Sequence, residues 1–192
     1  MSLLELRDVA GLSLSIEEGE VVALGDAHRA VFASVLGTAK TQGEVLLDGS
    51  RLYRRTPERL ARRGVVHLPA GGGTFAAFTV LDNLRLGAWT HRAVSPRDLA
   101  RVYEALPVLY DLRRRRVATL AADERRLVAL GRVMMAKPRL LLADEPAYGV
   151  DATAAREVFE LLHAINARGA AFLLVDGHDA LVRRLASRVV GG

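Results

Sequence analysis

The segment Arg139-Leu-Leu-Leu-Ala-Asp144-Glu145-Pro146 constrains this chain more than any other. Its apolar run has no polar alternate, so a strand built from it is covered on both faces, as a central parallel strand is. It ends in two adjacent carboxylates, at the carboxyl edge where parallel sheets place their sites. In nucleotide hydrolases of this form, the Asp helps to hold Mg²⁺ and the Glu polarises the attacking water. An α/β fold with a largely parallel sheet is the expectation.

The remaining segments alternate in the same way. Leu3–Leu6, Leu12–Ile16, Val21–Leu24, Glu44–Leu47 and Val65–Leu68 read as strands, the fourth closing on the turn Asp48-Gly49. Helices are expected over Ala30–Leu36 and Pro57–Arg63, the second with Pro57 in its first turn and Thr56 as N-cap. The stretch from Thr79 to about Glu104 reads as mainly helical, and Glu124–Ala136 presents one broad apolar face. Beyond the strand Arg139–Ala143 come helix Thr153–Ala167, strand Ala171–Asp176, helix Ala180–Ala186 and a last strand at Val189-Val190. The expected organisation is one domain over 1–192, with a core of about 1–77 and 138–192. A small antiparallel β part lies at its front, and a helical subdomain of about 78–137 is inserted.

Composition narrows the function classes. With 192 residues, 51% hydrophobic and 26% charged, the chain can bury a real core. It has no cysteine, which excludes disulfides and thiolate metal sites. No apolar run reaches the roughly 18 residues needed to span a bilayer, and the first residues lack a signal-peptide pattern. A soluble cytoplasmic protein is expected. The net charge of +5 is carried by 25 arginines and two lysines, densest at Arg113-Arg114-Arg115-Arg116. No interleaved aromatics or recognition-helix pattern accompanies that run, so nucleic acid is not the expected partner.

The flanks of the carboxylate pair make it specific. Ahead of it lies Leu127-Val-Ala-Leu-Gly-Arg132-Val-Met-Met-Ala-Lys137-Pro138, and behind it Tyr148-Gly149-Val150-Asp151. Together with Arg139–Pro146 these resemble the signature helix, D-loop and Walker B segment of ABC transporter ATP-binding subunits. The run His67-Leu-Pro69 through Thr79-Val80-Leu-Asp82-Asn83-Leu84 to Gly87-Ala88 is similar to the Q-loop region of the branched-chain amino acid importer type. The likeness extends from Leu3 to Val190. It implies a P-loop NTPase-like core, ATP and Mg²⁺ as ligands, and attachment at the inner face of the cell membrane. The implied partners are a transporter membrane subunit, docking around Phe75–Leu84, and a second ATPase subunit. Carried over by position, Asp144 is the Mg²⁺ ligand, Glu145 the water-polarising base and Asp151 the D-loop acid.

Other motifs of that family are degenerate here. The phosphate loop G-x-x-x-x-G-K-[ST] works because backbone N–H groups close around phosphates while a lysine bridges them. This chain reads Gly25-Asp26-Ala27-His28-Arg29-Ala30-Val31-Phe32, about four residues short and without the lysine or hydroxyl. Gly25, His28 and Arg29 are what is left of a phosphate-contacting set. The adenine-stacking aromatic is missing from Arg7–Leu12, and the Q-loop position is Ala70. The signature motif is replaced by Leu120-Ala-Ala-Asp123-Glu124, where Asp123 is expected to cap the helix and repel phosphate. Gly177 stands at the switch-histidine position, with His178 one residue away as a candidate.

Three functions fit this pattern. One is a pseudo-ATPase, a structural or regulatory partner impaired in ATP binding and hydrolysis. Another is a working transporter ATPase with an atypical nucleotide site, and the third a basic nucleic-acid or lipid-surface module. Possible cofactors are therefore ATP with Mg²⁺, or none.

Overall fold

Alternate side chains along the central strands of this protein face two different cores. A computed structural model describes residues 2–40, 42–52, 56–91 and 94–191. Its main sheet has the order β6-β7-β8-β3-β9, comprising β6 (Val65–Leu68), β7 (Leu140–Asp144), β8 (Ala171–Val175), β3 (Val21–Leu24) and β9 (Arg188–Val190). All four pairings in it are parallel. Leu140 and Leu142 of β7 and Leu173 of β8 join one core; Leu141, Phe172 and Leu174 join the other. Burial on both faces explains why β7 and β8 read as unbroken apolar runs.

The first core is closed by an antiparallel sheet of order β2-β1-β4-β5, formed by β1 (Leu4–Val9), β2 (Leu12–Ile16), β4 (Glu44–Leu47) and β5 (Ser50–Arg51). Helices α1 (Ala30–Leu36) and α2 (Pro57–Arg62) complete that layer through Val31, Phe32, Val35 and Leu60. As expected, Thr56 caps α2, its hydroxyl accepting from the Arg59 N–H at 3.4 Å. The second core lies under α6 (Ala122–Ala136), α7 (Ala152–Asn166) and α8 (Asp179–Leu185). Arg139, at the foot of β7, ties the layers together by reaching Asp48 and Glu18, each at 2.8 Å.

A third cluster gathers α3 (Val80–Gly87), α4 (Pro96–Ala105) and α5 (Val108–Asp111) against the far face of α6. The helical stretch expected over Thr79–Glu104 is thus two helices, because Ser95 and Pro96 start a new one. Residues 92–93 of that stretch lie outside the described residues. Helices α3 and α6 meet backbone to backbone at Gly87, where an added Cβ would sit 2.5 Å from the Arg132 carbonyl oxygen. The arginine run has a local role. Arg113 and Arg115 carbonyls accept from Leu81 and Val80, and the Arg113 guanidinium lies 3.9 Å above the Tyr110 ring.

Candidate functional site

The carboxylate pair emerges where β7 ends. Asp144 continues the ladder beside Val175, and Glu145 turns out of it with φ of 45°, its N–H bonded to the Val175 carbonyl at 2.7 Å. Both side chains are largely covered, 19% and 21% exposed. Two adjacent carboxylates so placed need a counter-charge, and Arg29 supplies it. Its Nε lies 3.0 Å from Asp144 Oδ1 and an Nη 2.6 Å from Glu145 Oε1. The contact with Glu145 does most to hold the guanidinium above its ordinary value, burial opposes it, and the charge of Asp144 adds to it.

Arg29 reaches this position because of the turn that precedes it. After β3, Asp26–His28 form a single 3₁₀ turn that runs into α1 through Arg29. The His28 N–H donates to the Gly25 carbonyl at 2.9 Å and the Arg29 N–H to that of Asp26 at 3.1 Å. The Gly25 N–H donates to Val190 of β9 at 3.0 Å. These three amides are thus already bonded to main-chain carbonyls. The two basic side chains part company here: His28 packs on the backbone of Gly191, so closely that a Cβ there would meet its ring at 2.3 Å.

The other expected site residues have local partners. Asp151 caps α7, its Oδ1 accepting from the Thr153 and Ala154 N–H groups at 2.8 and 2.9 Å, which holds its carboxyl below the ordinary range. His178 Nδ1 lies 2.6 Å from Asp176 Oδ1. Asp176 also accepts the Ala147 N–H at 2.9 Å, fixing the turn after Glu145. Asp123 is corrected: it is not the cap of α6. Glu124 reaches back to the Ala121 N–H at 2.8 Å, and Asp123 is left in the exposed first turn. Asp123 is two residues after the N-cap Ala121, whereas the residue three places on is the one whose side chain folds back in a capping box.

Sequence reasoning missed His67 and Asp176 as members of this neighbourhood. Asp176, two residues before His178, carried the signal of a side chain bonding its own backbone two residues on. His67 carried none, since its neighbours come from other elements. It leaves β6 beside Phe32, with ring centroids 6.4 Å apart. Burial lowers its affinity for a proton, opposed by the charge of Asp144. A depressed folded-state value means that the unfolded chain binds the proton more readily. Stability is then full above histidine's ordinary value and falls as acid is added below it. His67→Leu is expected to flatten the loss of stability as pH falls below about 6.5, read by urea unfolding.

Beside the site runs a groove of about 440 Å³ between α2 and β6 on one side and α3 and α6 on the other. It is lined by Leu60, Pro69, Gly72, Trp89, Arg132 and Val133, among others. Phe75 and Phe78, nearly half exposed, stack edge to face in the loop before α3. Arg132 lies 4.7 Å over the Phe75 ring and donates to the Gly73 carbonyl, and its burial lowers its ordinary basicity. No helix among the described residues is long and apolar enough to cross a membrane.

Comparison with known proteins agrees with this architecture. The chain is 27% identical over 190 residues to the high-affinity branched-chain amino acid transport ATP-binding protein BraG of Pseudomonas aeruginosa, covering 96% of this chain and 82% of BraG. It is 28% identical to the xylose import ATP-binding protein XylG of Pseudomonas syringae, of which it spans only 38%. It is 26% identical to the lipopolysaccharide export ATP-binding protein LptB of Haemophilus influenzae, over 88% of this chain and 73% of LptB. Among solved structures, an ATP-binding subunit of an ABC transporter superposes with a TM-score of 0.83 at 22% identity, over 99% of this chain and 86% of that one. A nucleotide-free ATP-binding cassette gives 0.77 at 21% identity, over 100% and 88%. Residues 9–148 match the family model described as ABC transporter, and the chain belongs to that family.

Proposed function

We propose that this chain is a transporter-associated subunit that keeps the ATP-binding-cassette scaffold but does not cycle ATP. The observation that carries this reading is the path of residues 25–29. A triphosphate is held by a concave ring of N–H groups and a lysine. Here His28 and Arg29 turn their amides into a 3₁₀ turn. Mg²⁺ is normally held by one or two carboxylates together with substrate phosphates. Asp144 and Glu145 already carry a guanidinium, and residues 25–32 contain no lysine. The residues present do not fit Mg-ATP.

The first turn of α6 supports the same reading. In the family, that helix start grips the phosphate of the nucleotide held by the partner ATPase subunit. Asp123 and Glu124 place negative charge there, and Glu124 fills the cap. What this chain keeps is the groove beside Phe75, Phe78 and Trp89, suited to a segment of a membrane subunit. It would then work peripherally at the membrane, beside a second, competent ATPase subunit. The likeness to BraG favours a branched-chain amino acid importer as its setting, while the other relatives serve import of xylose and export of lipopolysaccharide. Local bonding of Arg113 and Arg115 counts against a nucleic-acid surface.

Thermal unfolding with millimolar Mg-ATP tests the proposal. A site filled to 100 times its Kd would stabilise the fold by about 2.7 kcal/mol. The expected result is no displacement of Tm. A rise of several degrees that Asp144→Asn abolishes would overturn the reading.

A further inference from the structure

We propose that Arg29 is a built-in counter-cation, latched across Asp144 and Glu145 in the place a divalent cation would need. The inference rests on the reading that the site takes no nucleotide, and goes beyond it by assigning the occupant. Two features of the geometry carry it. One guanidinium reaches both carboxylates, its Nε 3.0 Å from Asp144 and an Nη 2.6 Å from Glu145, as a shared charge contact rather than an aligned hydrogen-bonded fork. And the arginine starts from the opposite side of β8, at the end of β3, so the contact joins two strands that do not pair with each other.

The surroundings make this charge hard to replace. Asp26 lies at the edge of the site, 4.0 Å from an Arg29 Nη. His67, whose burial favours its neutral form, is the neighbouring titratable group on β6. Of the charges these groups bring together, Arg29 alone is fixed and positive. Without it, two covered carboxylates would face each other uncompensated, a situation that destabilises strongly or recruits a cation. The latch therefore excludes divalent metal and fastens the entry to α1 onto the end of β7.

The experiment compares wild type, Arg29→Gln, Asp144→Asn/Glu145→Gln, and the triple variant by thermal unfolding, with Mn²⁺ titrated and its bound fraction read by electron paramagnetic resonance. Arg29→Gln is expected to lower Tm by about 4–8 °C. It should also bind Mn²⁺ at least tenfold more tightly than wild type and regain part of the lost Tm when it does. In the neutral background the same substitution should cost little and Mn²⁺ should have no effect, because the charges it compensates are gone. If Arg29→Gln does not fold alone, a folded triple variant with the Tm of its Asp144→Asn/Glu145→Gln parent still supports the latch. The proposal is overturned by an equal loss in both backgrounds, by an unchanged Tm in Arg29→Gln, or by wild type binding Mn²⁺ as tightly as the variant does. These readouts use no nucleotide, so they can fail while the nucleotide test in wild type stands, and the reverse.

Discussion

Replacing Asn83 by alanine is expected to destabilise the protein by about 2 kcal/mol, although Asn83 lies in a short helix. Its side chain is fully buried and completely used. The Oδ1 accepts the Phe75 N–H at 2.8 Å, while Nδ2 donates to the carbonyls of Phe75 at 3.0 Å and Thr79 at 2.9 Å. Alanine removes all three bonds and takes the acceptor from the Phe75 N–H, while the Phe75 carbonyl keeps the Phe78 N–H at 3.2 Å. The loop Gly71–Phe78 opens with three successive glycines with positive φ, and its remaining ties include the Arg132 contact with Gly73 and the Val117 and Ala118 N–H bonds to Phe78 and Ala76. Urea unfolding should give a lower midpoint with an unchanged slope, and limited proteolysis should open this loop first. Asn83→Asp is the sharper variant. It keeps the acceptor, loses both donor bonds and buries a charge, so a loss smaller than that of alanine would show that the amide nitrogen is dispensable.

Phe172→Ala should cost about 3–5 kcal/mol, as large aromatic truncations in packed cores do. Phe172 is fully buried in β8, the strand at the centre of the parallel sheet, between Val21 of β3 and Leu141 of β7. It faces the second core, beneath α6 and α7. Leu173, the next residue, faces the opposite core. Alanine at 172 should therefore be felt mainly by the helical layer and spare the antiparallel sheet. Hydrogen exchange in the two layers checks this: faster exchange confined to β1, β2 and β4 would contradict the assignment of faces.

Both expectations rest on features that differ in how visible they are in the sequence. The strands Val21–Leu24, Glu44–Leu47 and Val65–Leu68 and the helix Ala30–Leu36 were legible to the residue, because apolar spacing, caps and turns are encoded within a few positions. The same holds for the carboxylate pair at the end of β7 and for the lack of a lysine in residues 25–32. Boundaries slipped where a cap had competitors. Helix α6 starts two residues before Glu124, and β5 is too short to show a period.

What the linear order did not contain is where long side chains travel. His28 and Arg29 are adjacent and both basic, yet one rests on Gly191 and the other crosses to Asp144 and Glu145. That parting depends on the 3₁₀ turn and on which strands flank β3, and strand order is a property of the whole sheet. The sequence alone established the fold family, the buried strands and the departure of residues 25–32 from the phosphate-loop pattern, because these are statements about residue type and spacing. The tertiary structure alone decided which cation answers the two carboxylates, because an ion pair is set by distance in space between residues more than a hundred positions apart.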